Sequence, residues 1–254
     1  MLLIEVILYL YIFFIGTFLG SFYNVVGIRV PEKVTLMGRS HCPSCNHTLG
    51  PLELFPIIGY LILRGRCKNC QNHISVKYPI MEFITGLLFL ISFVILRDYM
   101  VEYILMVVFM SLMIIITVSD LYYQIIPDKI LLFFLPVILT LRIVSDKITI
   151  INALLGAVLG FLFMLFIAWY GKKRFKQEAL GGGDIKLYFL VGLVLGIDLV
   201  FLSVLFAALI GLVYGLVMRK RSGYIPFVPF IFAGSLLAYF IGGYIITWYT
   251  SLLF

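Results

Sequence analysis

Apolar runs dominate this chain, and several approach or exceed the roughly 20 residues a helix needs to cross a bilayer. Reading the runs and the breaks between them predicts eight spans: near 4–26, 79–96, 101–121, 129–144, 150–170, 184–197, 199–217 and 228–250. Only Gly196 to Asp198 divides the sixth from the seventh, so both are expected to be short or tilted. With 63% hydrophobic and 12% charged residues, no aqueous globule of 254 residues hides this much apolar surface. The expected fold class is an all-α polytopic membrane protein of about eight transmembrane helices, with a small zinc-ribbon-like loop domain. The first span follows no basic start and precedes no small-residue cleavage site, so it reads as a retained helix and not a signal peptide.

The net charge of +7 is unevenly distributed. With the N-terminus outside, 16 of the 19 Lys and Arg residues fall in one set of loops, among them Arg29, Lys186, Arg219, Lys220 and Arg221. Arg97, Arg142 and Lys147 remain on the other side. This is the positive-inside pattern, and it puts both termini outside. The lipid bilayer, with its anionic inner leaflet, suffices as partner for these charges; nucleic acid is not needed. The chain divides into a first transmembrane helix (1–28), a cytoplasmic Cys-rich loop (29–78) and a membrane-embedded remainder (79–254).

The Cys-rich loop carries "CPSC" and "CKNC", which place Cys42, Cys45, Cys67 and Cys70 as two CxxC knuckles separated by 21 residues. Two such turns suit a tetrahedral zinc, each aiming two thiolates at one centre. Disulfides are the bland alternative, disfavoured in the reducing compartment that the charge bias implies. A metal-free reduced loop and cluster binding are the others. His41, His47 and His73 lie nearby, but four cysteines already complete a shell. A closed shell points to a structural role, stapling a loop too small to build its own core.

Most acids lie in predicted loops: Glu32, Glu53, Asp98, Glu102, Asp128, Asp146, Glu178 and Asp198. Glu82, Asp120 and Asp184 instead sit in or at the ends of apolar spans, where a carboxylate is costly and reads as functional by default. The topology puts Asp120, at the end of span three, and Asp184, at the start of span six, at the same membrane face. Each has a dull reading: Asp184 as an N-cap, Asp120 as a boundary residue reaching water. Asp128, after Pro127, reads as the N-cap of span four.

The run "LGGGD" shifts the balance for Asp184. Gly181, Gly182 and Gly183 remove every side chain beside the carboxylate, and such a strip can lie against an extended peptide as an added strand. Two adjacent carboxylates cannot both ionise cheaply, so they share a proton near neutral pH. One then takes a proton from water while the other donates to the peptide carbonyl oxygen. No metal is needed in such a site, and the titration belongs to the pair.

"GSFYNVVGIRVP", "CPSC…CKNC", "YPIMEFITG", "SDLYYQIIPD" and "GGGDIKL" occur in the order seen in the type IV prepilin peptidases, which this chain resembles over residues about 16 to 195. The family is a class of GxGD aspartic proteases of the bacterial inner membrane. The resemblance implies that Asp120 and Asp184 are the catalytic dyad, with Gly181, Gly182, Gly183 and Lys186 in the substrate loop. It implies prepilin or pseudopilin substrates with short basic leaders, cut at the cytoplasmic face. It further implies N-methylation of the new N-terminus with S-adenosylmethionine, an activity associated with the Cys-rich loop and with Gly20, Asn24, Arg29 and Glu82. Gly27, ahead of Ile28 and Arg29, departs from the usual pattern. Three rivals stand beside this reading: an ion-coupled transporter, a non-catalytic assembly protein, and a peptidase that cleaves without methylating.

Overall fold

The computed structural model describes residues 2–176, 180–218 and 225–253. Arg219, Lys220 and Arg221, counted above among the inside cations, and the loop acid Glu178 lie outside the described residues. The described chain is helical: α1 (Leu2–Arg29), α2 (Ile58–Ile62), α3 (Lys77–Leu96), α4 (Met100–Tyr123), α5 (Asp128–Val144), α6 (Ile150–Phe175), α7 (Gly182–Val217) and α8 (Val228–Leu253). Among the described residues, β-structure is limited to isolated bridges. Six helices, all but α2 and α5, are long and apolar enough to cross a membrane. They form two compact units, residues 1–118 and 119–254, divided within α4.

In the first unit, α1 packs on α3 through small residues, which let two membrane helices approach closely. A Cβ at Gly16 would lie 2.7 Å from the Cα of Gly86, and one at Gly20 would lie 2.8 Å from the Thr85 hydroxyl. Gly27, the departure noted in the sequence, backs onto α4, where a Cβ would meet the Ile115 carbonyl at 2.7 Å. Tyr23 and Ser111 join the same two helices by a 2.6 Å hydrogen bond. Glu102, expected in a loop, is buried in the first turn of α4.

In the second unit, α7 spans 36 residues, but Gly196 inside it has φ 74° and ψ 178°, far from helical. As one straight helix, α7 would extend about 54 Å, with Tyr188 and Val200 about 18 Å apart. Yet both lie beside Gly160 of α6. The chain therefore turns back at Gly196, and the sixth and seventh predicted spans are two antiparallel limbs, 182–195 and 197–217. Asn152 clamps the turn: its Oδ1 accepts the Ile197 N–H at 3.0 Å, and its Nδ2 donates to Asp198 at 3.1 Å. Asp198 is thus part of this turn rather than a plain loop acid. Arg142, 1% exposed, donates from Nη2 to the Val194 carbonyl at 2.7 Å, filling a helix-end acceptor that the break leaves open.

Candidate active site and candidate metal centre

Asp120 and Asp184 both belong to the second unit. In that unit α5 and the first limb of α7 run side by side from one end to the other. Asp128 of α5 meets Lys186 of the first α7 limb at one end, and Arg142 meets Val194 at the other. Asp120 is the terminal-turn acid of α4 and is 7% exposed. Its Oδ2 accepts the N–H of Val228, the first residue of α8, at 3.0 Å. Asp184 opens α7 and is close enough to Asp120 for their charges to interact, although 64 residues separate them in sequence. The arrangement brings two carboxylates together at one end of a helical unit.

The three glycines are not equivalent. Gly182 and Gly183 are the first residues of α7, so the glycine run is not a flat strip; only Gly181 among them is extended, with φ −70° and ψ 143°. Asp184 accepts the Gly181 N–H at 3.2 Å, so the capping role weighed for it is real, from inside the first turn rather than from the N-cap position. A Cβ at Gly183 would lie 2.8 Å from Ile126, whereas one at Gly182 would meet nothing within 4 Å. Close approach of the α4–α5 loop therefore requires glycine at 183. That loop is itself folded back by Ser119, whose hydroxyl donates to the Ile125 carbonyl at 2.5 Å.

Asp128 is the first residue of α5 and not its N-cap, which is Pro127. Its two carboxylate oxygens each accept from the Lys186 ammonium, at 2.8 and 2.9 Å, in an exposed pair. Sequence reasoning gave the C-terminal helices little weight and missed Phe227 and Val228. The signal available was "PFVPF", in which two prolines bracket a pair of residues that keep their N–H.

Three of the four methyl-transfer candidates come together in the first unit. Gly20 lies against Thr85 and the Cα of Glu82, and Asn24 donates to the Tyr78 carbonyl at 3.3 Å, one turn before Glu82. Glu82 is buried and accepts the Ile57 N–H at 2.8 Å. Ile57 was not anticipated: it holds φ 61° and ψ −54°, and the Ile58 N–H returns to the Pro56 carbonyl at 2.5 Å. That is a strained γ-turn on a β-branched residue. Arg29 is engaged apart from the other three, donating to the carbonyls of Thr35, Leu36 and Arg39.

The four cysteines are free thiols whose sulfurs lie within 4.8 Å of one another. Each knuckle is built alike. Cys42 N–H bonds to the His47 carbonyl and Asn46 N–H to the Cys42 carbonyl; Cys67 and Gln71 repeat this with the Asn72 and Cys67 carbonyls. Asn46 and Gln71 supply the left-handed residue each turn needs, with φ 56° and 58°. Cys42 and Cys70 sulfurs are 3.8 Å apart, and those of Cys45 and Cys67 3.9 Å. A tetrahedral ion with arms of about 2.3 Å demands edges of about 3.8 Å, so the set fits a metal ion.

The thiols also show why a cation belongs there. Backbone N–H groups of Ser44 and Cys45 bring Cys42 down to about 6. The Asn72 N–H favours the Cys70 thiolate, but desolvation and the other three sulfurs push it up to about 12. Four thiolates need positive charge among them. Of the nearby histidines, His47 is engaged by Glu53 at 3.2 Å.

Comparison with known proteins bears on both units. Residues 14–97 match the family described as Bacterial Peptidase A24 N-terminal domain, and residues 107–216 match the Type IV leader peptidase family. The chain is 40% identical over 248 residues to a prepilin leader peptidase/N-methyltransferase of Bacillus subtilis, covering 95% of this chain and 97% of that protein. It is 36% identical to one of Myxococcus xanthus, over 84% of this chain and 64% of that protein. A type 4 prepilin-like proteins leader peptide-processing enzyme of Escherichia coli is 30% identical, over 87% and 89%. No solved structure matches.

Proposed function

This chain belongs to the type IV leader peptidase family, and we propose that Asp120 and Asp184 are the pair with which it cleaves prepilin leaders. Family membership supports the activity itself: a multi-pass membrane enzyme of leader cleavage and N-methylation. The observation that carries the residue assignment is the meeting of these two carboxylates at one end of one unit, one of them buried. Such a pair shares a proton. One carboxylate takes a proton from water as the hydroxyl adds to the peptide carbonyl carbon, and the other gives its proton to the carbonyl oxygen. The carbon–nitrogen bond then breaks, the leaving amine takes up a proton, and the pair is restored. Gly181, Gly182, Gly183 and Lys186 line the approach to Asp184.

The new amine is the methyl acceptor, and S-adenosylmethionine supplies the methyl group when bound. Gly20, Asn24, Arg29 and Glu82 belong to this second activity. A buried Glu82 carboxylate suits a cationic donor or the amine it methylates, and it also holds the Ile57 turn. Zinc on Cys42, Cys45, Cys67 and Cys70 ties the loop together as a structural ion. The excess of Lys and Arg in the inside loops supports a cytoplasmic position for the dyad and this loop at the inner membrane. There a prepilin's basic leader meets its apolar helix.

The test replaces Asp120 and Asp184 separately with Asn in the reconstituted full chain and scores leader removal by mass. Both variants are expected to lose cleavage while keeping their thermal transition. Cleavage at the wild-type rate by either one refutes the pair.

A further inference from the structure

The backbone partners of Asp120 come from the start of α8. Besides the Val228 N–H bonded to Oδ2, the Phe227 N–H lies near this carboxylate. A helix N-terminus leaves its first N–H groups without intrahelical partners. In "PFVPF", Pro226 and Pro229 have no N–H, and those of Phe230 and Ile231 are spent on the Phe227 carbonyl at 3.0 and 3.1 Å. The orphan donors of this terminus are therefore those of Phe227 and Val228; that of Val228 is bonded to Asp120, and that of Phe227 lies near it. Val228 is fully buried, so water does not compete for its N–H. Asp184, less buried, accepts the Gly181 N–H at the longer distance of 3.2 Å.

We propose that the N-terminus of α8 is a positioning element of the peptidase site, holding Asp120 as the ionised member of the pair and leaving the shared proton on Asp184. This rests on the reading of Asp120 and Asp184 as the catalytic pair. A helix N-terminus favours negative charge, and a hydrogen bond to an ionised acceptor is stronger than one to a neutral acceptor. Asp120 is then the base that takes the proton from water, and Asp184 the acid that protonates the carbonyl oxygen. The following charged and titratable groups surround the pair among the described residues. Asp184 lies within electrostatic range of Asp120 and of the buried Tyr188 phenol. The Lys186 ammonium is held by Asp128, and Lys129 beside it is exposed. The described start of α8 carries no charged side chain.

Val228→Pro tests this with little other change. Proline suits the first helical position, and the substitution removes only the N–H in question. Val228→Ala keeps the N–H and sets the baseline for losing the buried side chain. Relative to V228A, V228P is expected to lose about ten- to a hundred-fold in kcat, with KM little moved. The acidic limb of its pH–rate profile is expected to move to higher pH, a readout that a merely structural role would not shift. Equal rates and coincident profiles for the two variants overturn the proposal. If V228P loses its thermal transition, Phe227→Pro against Phe227→Ala makes the same comparison on the other donor. D120N is run alongside: if it still cleaves, the pair itself is wrong, whereas inactive D120N with matched V228P and V228A overturns only the role of α8.

Discussion

The carboxamide of Asn152 fills the space that a Cβ on residue 196 would need, and its Oδ1 accepts the N–H of Ile197 at 3.0 Å. Residue 196 is thus constrained twice, by a backbone conformation open essentially to glycine alone and by a neighbour that has no room to give. Gly196→Ala is expected to cost about 2–4 kcal/mol, read as a large fall in the thermal midpoint in detergent. Asn152→Ala frees the space but strands the Ile197 N–H, and is expected to cost about 1–3 kcal/mol. In the double variant the penalties are less than additive, because the collision is gone.

Gly182 and Gly183 separate under the same substitution. Gly183→Ala drives a Cβ into Ile126 and pushes the start of α7 off the α4–α5 loop, at a cost of about 1–3 kcal/mol. Gly182→Ala meets nothing and trades glycine for a better helix former, so its stability is expected to hold or rise by up to about 1 kcal/mol. Leader-cleavage rates should follow the same order, with G183A the slower enzyme.

The Lys186–Asp128 pair is short but exposed on both sides. Solvent screening limits such a pair to roughly 0–1 kcal/mol. A double-mutant cycle on thermal stability with K186A and D128A is expected to give a coupling inside that range. Cleavage should respond unequally: if Lys186 serves the substrate, K186A slows the reaction beyond what D128A does.

Loss of one cysteine should release the metal ion. Cys67→Ser is expected to lower the metal content of the purified protein from about one equivalent towards zero, measured by elemental analysis. Chelation of the wild-type protein should expose the 29–78 loop to protease, while leader cleavage declines less than methylation.

Much of this protein can be read from its order of residues. The apolar runs determine the spans, because a helix is the structure that satisfies a backbone in lipid by itself. Even the sixth and seventh spans, divided only by Gly196 to Asp198, are the two limbs of α7. The CxxC spacing brings the four cysteines into one cluster that fits a metal ion, since each knuckle folds locally. Asp120 and Asp184 stand out because carboxylates at apolar spans are costly.

Tertiary structure decided the rest. Nothing local distinguishes Gly183 from Gly182; the side chain of Ile126, brought from 57 positions earlier in the chain, does so. Asp128 reads as a cap until Lys186 arrives. Glu82 takes its meaning from the N–H of Ile57, and Asp120 from those of Phe227 and Val228. These partners are backbone groups, which every residue but proline carries. A sequence therefore marks them only by where proline is absent, and their direction is set by the packing of distant helices.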